Sequence, residues 1–382
     1  MGTLQWPKIA ILCVVCTLSI VSIPGHSTTL APEKGSIPKP SPDDPERIAL
    51  ARVQVFLDRA GFRPGKIDGL SGEFTQKAAD YYCLAKDLEP GSALDVSSIS
   101  SPYRLYTVSE SDSNWVGPVS SNPAQQARFK ALHYGSIWEA VSERFHCDLK
   151  FLRELNPGLD EIGIGTILRV PDVIEFSPQD ALTLKRLLAS GNILPNPRPA
   201  STPTPTATKP TSLPFDLSRP IGAPTPTPPP TPAPEPSPNP PPPPTHQPLR
   251  HLVLDRNERL ITMYEDGHLA GCFPCTPGST KFPVPAGTWR ITSNVLMPHF
   301  RWDKSVLETG IRSENAHLLP PGPNSPVGIV WMGINRPSLG MHGTNSPDRI
   351  GRNQSSGCIR LANWDALFLS QRLKLGTKLE VR

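Results

Sequence analysis

Between Pro195 and Pro248, 23 of 54 residues are proline, and this segment limits what the chain can fold into. Runs such as PTPTPTATKPTS and PTPTPPPTPAPEPSPNPPPPPT offer almost nothing apolar to bury. Without a core to offset its ordering entropy, the segment 195–248 is predicted to be an extended, polyproline-like spacer. At about 3.1 Å per residue it would reach roughly 170 Å. Its Thr-Pro content also suits a glycosylated stalk. The remainder of the 382 residues has room for two or three compact units of ~100–200 residues. A spacer of this kind predicts a tether, with one folded part held while another searches.

The N-terminus reads as an export signal over residues 1–27. MGTLQWPK carries one lysine and no acid, IAILCVVCTLSIVSI is a fifteen-residue apolar run, and PGHS ends in a small-x-small pattern. Such a run suits a signal sequence better than a membrane span, with an uncleaved anchor as the alternative. Residues 28–45 read as a proline-containing linker. Export to the periplasm or cell envelope is therefore expected. The net charge of +4, from 38 basic and 34 acidic residues without dense runs, gives nucleic-acid binding no support.

Two of the seven cysteines lie in the leader, leaving Cys83, Cys147, Cys272, Cys275 and Cys358. In an oxidising compartment an odd number leaves at least one thiol free or paired between chains. Whether Cys83 pairs with Cys147 stays open. Cys272 and Cys275 form a C-x-x-C within GCFPCTPG, a strand running into a turn. No second pair with zinc spacing accompanies them, and residues three apart on a strand face opposite ways. No metal or cofactor is expected.

Residues 46–90 show two helical stripes, Ala49, Val53, Phe56, Leu57, Ala60 and then Phe74, Ala78, Tyr81, Tyr82, Ala85. The glycine-rich crossing GFRPGKIDGLSGEFT separates them. VQVFLDRAGFRPGKIDGLSGEFTQKAADYY resembles the type 1 peptidoglycan-binding domain, whose helices are joined by a similar Asp-Gly-x-x-Gly turn. Residues 103–173 read as strand, helix, helix, strand. Their SIWEAVSERFHCDLKFLRELNPG stretch resembles the LysM glycan-binding module. Here Ser109 to Gly135 is a long insertion where that family has a few residues, so scaffolding is an alternative role.

Residues 249–382 are rich in β signals. RHLVLDRNERLITMYEDGHLAGCFPC reads as three strands, with a turn at Asp266-Gly267. TWRITSNV, VGIVWMGI, LGMHGT and TKLEVR continue the pattern. Asn363 as N-cap opens one helix, WDALFLSQRLKL, ended by Gly376. The fold class expected is multidomain: a small helical unit, a βααβ unit, and a mostly-β domain with one packed helix.

HGTNSPDRIGRNQSSGCIRL, residues 342–361, carries the chemistry. A free cysteine is mostly protonated at neutral pH, so nucleophilic attack needs a base or a positive field. His342 ends one strand pattern, Cys358 opens the next, and the intervening loop can bring them together. Gly357 lets a substrate carbonyl approach the backbone amides beside the sulfur. Arg360 shares a strand face with Cys358 and is suited to a substrate carboxylate. Alone, one Cys and one His fit an ordinary core cysteine as well.

The surrounding residues resemble the signature of YkuD-type L,D-transpeptidases. So do the upstream stretches TPGSTKFPVPAGTWRI and LLPPGPNSPVGIVWM, and the likeness spans essentially all of 249–382. It implies Cys358 as nucleophile, His342 as general base, the Gly343 carbonyl orienting the imidazole, and an oxyanion region at Gly357. Arg360 would hold the substrate carboxylate, and Ser355 would be a supporting hydrogen-bonding residue. Ser356 stands where the family usually has histidine. It can donate a hydrogen bond but carries no charge near neutral pH. The implied partners are peptidoglycan stem peptides and glycan strands. The implied reaction is thioester formation with release of D-alanine and transfer to an amine; a carboxypeptidase using water and an inactive wall-binding protein are the alternatives. Trp302, in the irregular PHFRWDK, is a candidate substrate contact, whereas Trp331 and Trp364 read as core.

Overall fold

A computed structural model describes residues 41–190, 247–278, 283–309, 311–352 and 357–382. The expected export signal, residues 28–40 of the linker 28–45, residues 195–246 of the spacer 195–248, and both Ser355 and Ser356 lie outside the described residues.

Helix α1 (Pro45–Arg59) opens with proline at its first position, Glu46 in its first turn and Arg59 in its last. All three suit the helix's unpaired amides and dipole. It is followed by α2 (Glu73–Ala85). Strand β1 (Tyr103–Thr107), the one-turn helices α3 (Glu110–Ser113) and α4 (Pro123–Gln126), then α5 (Ile137–Arg144), α6 (Leu149–Leu155) and β2 (Ile167–Pro171) come next. Ser136 and Asp148 cap α5 and α6 by accepting backbone N–H groups, the usual service of short oxygen-bearing side chains there. Strands β1 and β2 pair antiparallel, Tyr103 opposite Pro171 and Thr107 opposite Ile167.

The helix pair and the βααβ unit, expected as separate domains, share one core. Ala51, Val55 and Ile67 pack in a cluster with Val141, Phe145, Phe151, Leu152, Leu168 and Val170. Units this small bury too little surface alone, so pooling their apolar faces is the more stable solution.

The C-terminal part contains β3 (Arg250–Asp255), β4 (Leu260–Glu265), β5 (His268–Pro274), β6 (Thr276–Pro277), β7 (Gly287–Leu296), β8 (Phe300–Trp302), helix α8 (Lys304–Thr309), β9 (His317–Leu319), β10 (Val330–Ile334), β11 (Gly340–His342), β12 (Ile359–Arg360), helix α9 (Asn363–Arg372) and β13 (Lys378–Val381). Nine of these strands form a sheet in the order β5-β4-β3-β13-β7-β10-β11-β12-β6. Its two outermost strands, β5 and β6, are separated in sequence by Cys275 alone. The sheet therefore has to curl until its edges nearly meet. Helix α9 packs on β10 and β11. It begins at Asn363, one residue earlier than expected, with Ala362 as cap, and ends at Arg372, before the expected Lys374-Leu375. Asn363 does not cap because its amide is engaged elsewhere, and Leu373 is already extended.

The tether reading requires correction. Residues 41–190 pack directly on the C-terminal part, within one compact unit spanning Pro40–Arg382. Helix α7 (Pro178–Ala189), which sequence reasoning passed over, puts Ala181 and Leu184 into the same core as Leu252, Ile261 and Phe273. Gly61–Arg63, from the glycine-rich crossing, line the outer edge of β5. The Arg63 amide donates to the Cys272 carbonyl at 2.8 Å, and the Cys272 amide donates to the Gly61 carbonyl at 3.2 Å. That covers an otherwise open sheet edge.

A buried polar cluster joins the same surfaces. Arg63 Nη1 lies 2.6 Å from Asp58 Oδ1, and Arg63 Nε lies 3.2 Å from Asp365 Oδ1 without hydrogen-bond alignment. His146 Nδ1 is 2.9 Å from Asp58 Oδ2, and its ring stacks on Trp364 at 4.9 Å. Trp364 is core, as the apolar reading had it. Burial drives the Asp58 pKa upward, but Arg63 and His146 outweigh it and hold the carboxyl at about 2. For Asp365 burial wins over Arg63, giving about 7. Among the described residues no helix is long and apolar enough to cross a membrane.

Candidate active site

Strands β11 and β12 run parallel, Met341 beside Ile359 and His342 beside Arg360. Met341 and Ile359 both enter the core. By the two-residue period of a strand, Gly340, His342, Cys358 and Arg360 share the opposite face. Hydrophobic alternation thus decides which side carries the chemistry: a one-residue slip would bury Cys358 and Arg360 in the core.

His342 is buried, and its Nδ1 lies 2.6 Å from the Gly343 carbonyl oxygen. A carbonyl only accepts, so Nδ1 carries the proton and Nε2 keeps its lone pair. Trp331, directly across the β10–β11 ladder, stacks on the imidazole at 5.4 Å and 13°. Burial pushes the His342 pKa down to about 4, partly opposed by the Gly343 carbonyl and reinforced by Arg360. The imidazole is neutral at pH 7.

Cys358 is half-buried, its Sγ 3.5 Å from the Ser338 carbonyl. Burial raises its thiol above the ordinary value, against the Gly340 amide and Arg360, which pull it down. The resting pair is therefore a neutral imidazole and a thiol. Preceding the cysteine, Gly357 has φ +110°, a backbone conformation L side chains avoid. Gly357 thus sets the direction in which the next amide points.

Arg360 lines a cavity of about 120 Å³ with Thr276, Thr344, Ser346 and Arg349. Arg349, on the loop between His342 and Cys358, was not singled out in the sequence. Trp331 was also missed as a neighbour of the site. Its cross-strand parity with His342 is the signal that could have found it. Trp302 belongs to the β8–β9 pair, outside the nine-stranded sheet, and stacks on His317 at 6.1 Å. Ser355 and Ser356 lie outside the described residues. Cys83, Cys147, Cys272, Cys275 and Cys358 form no disulfide. Among the described residues no cluster of histidine, cysteine or carboxylate groups is arranged to hold a metal.

Residues 249–381 match the family model of the YkuD L,D-transpeptidase catalytic domain. The C-terminal domain is of the YkuD type. A Bacillus licheniformis protein whose name assigns it to the L,D-transpeptidases is 26% identical over 130 residues, covering 34% of this chain and 64% of that protein. An Escherichia coli protein named in the same way is 38% identical over 63 residues, covering 16% of this chain and 20% of that one. Among solved structures, an L,D-transpeptidase from Mycobacterium smegmatis is similar at 21% identity and a TM-score of 0.30, covering 35% of this chain and 59% of that one. The chain thus spans less than two thirds of the Bacillus licheniformis relative.

Proposed function

We propose that the protein is an exported cysteine acyltransferase of the cell wall, acting as an L,D-transpeptidase. Neutral His342 accepts the Cys358 proton on Nε2 as sulfur attacks the carbonyl of an L-centre-to-D-centre peptide bond in a stem peptide. The scissile nitrogen takes that proton on departure, releasing D-alanine and leaving a thioester on Cys358. An amine from a second stem then attacks, the sulfur leaves and is reprotonated, and a 3→3 cross-link results. Backbone amides near Gly357 hold the oxyanion, and Arg360 pairs with the substrate carboxylate. The helix pair and the βααβ unit are proposed to hold glycan strands. Being docked, they would present the wall to the site directly.

One observation carries the reading: a histidine held by a carbonyl at 2.6 Å through Nδ1, on the strand face that also bears Cys358 and Arg360. The test is product analysis by mass spectrometry with a stem tetrapeptide as donor and a second stem as acceptor. D-alanine release and a cross-linked dimer, both lost in Cys358→Ala, are the expected result. Release without dimer would indicate the carboxypeptidase. No product from correctly folded protein would leave only the wall-binding role.

Arg360→Ala is expected to raise KM for the donor by on the order of tenfold, with a smaller change in kcat. A donor whose terminal carboxylate is amidated should lose affinity for the parent and little more for the variant. Equal penalties in the two proteins would remove Arg360 from carboxylate binding.

A further inference from the structure

We propose that Glu143, on helix α5 of the docked N-terminal part, is a positioning residue for His342 and acts through Asn363 and the Gly343 peptide. This rests on His342 being the base in the reaction above.

The connection is short. Glu143 Oε1 accepts a hydrogen bond from Asn363 Nδ2 at 3.0 Å, and the same nitrogen donates to the Pro323 carbonyl at 3.1 Å. Asn363 Oδ1 faces the Ile329 amide at 3.3 Å. Asn363 is fully buried and wedged between two glycines. A Cβ on Gly343 would come within 2.2 Å of Asn363 Oδ1, and one on Gly328 within 2.0 Å. The Asn363 amide thus fills the space beside the peptide whose carbonyl holds His342 Nδ1. The Gly343 amide, on the preceding peptide, donates to the Val330 carbonyl at 3.2 Å.

Glu143 is itself held. Tyr134, buried in the same unit, hydrogen-bonds to its Oε2, and Leu132 and His133 of the long insertion clamp the Pro321–Asn324 loop. Glu139 and Tyr134 are the titratable groups acting on the Glu143 carboxyl, while Arg144 acts on Tyr134. Burial raises the Glu143 pKa to about 8, so at neutral pH it is mainly a neutral hydrogen-bonding carboxyl. Above that value a charge appears inside the contact. The folded pKa exceeds the ordinary 4.5, so this group's stabilisation is complete below about 4.5 and fades as pH rises through about 8.

A merely structural contact would leave the His342 titration alone, and that separates the two roles. Imidazole signals of the full chain are followed by NMR, with His342 assigned by its loss in His342→Ala, and acylation by a carbapenem is timed by intact mass. Glu143→Ala is expected to move the His342 titration further down from about 4, by about one unit, because the Gly343 carbonyl that favours the protonated imidazole is no longer held against Nδ1. It should also slow acylation by roughly tenfold. Glu143→Gln keeps the acceptor for Asn363, can donate its NH2 to the Tyr134 oxygen in place of the bond Oε2 accepts, and should restore the titration and the rate at pH 7. It should also abolish any fall in rate that the parent shows above about pH 8. An unmoved His342 titration in folded Glu143→Ala overturns the proposal. If that variant does not fold, Glu143→Gln decides alone: a parent rate that does not fall above about pH 8, or a fall that is identical in the variant, overturns the proposal. A His342 titration that follows Glu143 in a protein that never acylates would sink the enzyme reading and leave the positioning role standing.

Discussion

His342→Ala is expected to lower the rate of Cys358 acylation by roughly 10²–10⁴-fold, the usual contribution of a positioned general base. The electrostatics argue for this full effect. Burial raises the thiol pKa, so little thiolate exists at neutral pH to sustain a background reaction. The imidazole, pushed down to about 4, is neutral and ready to accept the proton across the physiological range. The parent rate should therefore fall with acid only near pH 4, as His342 becomes charged and loses its lone pair. The variant's residual rate should instead keep rising with pH, following thiol ionisation. Stopped-flow or timed intact-mass measurements from pH 4 to 10 distinguish the profiles. An acid limb near 6.5 in the parent would mean that His342 is not the group titrating.

Arg63→Ala should destabilise the protein by about 3–5 kcal/mol, the cost of stranding a buried charge without its partner. Asp58 and Arg63 are both buried, and Arg63 does most to keep the Asp58 carboxyl ionised. Its removal forces Asp58 either to remain charged with His146 alone or to take up a proton. The sign with pH follows. In the parent the folded pKa of about 2 lies below the ordinary 3.8, so this group stabilises above about 3.8 and stops doing so as pH falls through 2. In Arg63→Ala that advantage should vanish or reverse, making the variant relatively less impaired in acid. Asp365→Asn should cost much less, about 0.5–1.5 kcal/mol, because burial already holds Asp365 near neutrality at about 7. Urea unfolding of the parent and both variants at pH 3, 5 and 7 measures these losses and their pH dependence. Equal losses for the two variants would mean that the cluster does not work through the Asp58 charge.

The parts of the molecule that were legible in the sequence are those whose physics is local. Alternation over Arg250–Asp255, Leu260–Glu265 and His268–Pro274, with a turn at Asp266-Gly267, yields the β3–β4–β5 meander. Spacing and glycine content around His342 and Cys358 point to the face on which both now lie. Docking was not legible. Proline content predicts a spacer over 195–248 and says nothing about whether the parts on either side touch. The residues that make the contact, Arg63, His146, Glu143 and Asn363, are polar, and in sequence they resemble ordinary surface groups. Asn363 is the sharpest case: at a helix start it reads as a cap, yet its side chain is spent on Glu143, Pro323 and Ile329. Trp331 was hidden for the opposite reason. Inside an apolar run it reads as core, and only cross-strand register reveals that it lies against the imidazole.

The central claim, that the Cys358 sulfur becomes an acyl carrier, has a direct measurement. A carbapenem offers a strained amide carbonyl, and intact-mass spectrometry of the full chain after exposure reports whether a covalent acyl group has formed. One adduct per chain, mapped to the peptide containing Cys358 and absent from Cys358→Ala, is the expected result. A folded parent protein that stays unmodified, or an adduct that persists in Cys358→Ala, would contradict it.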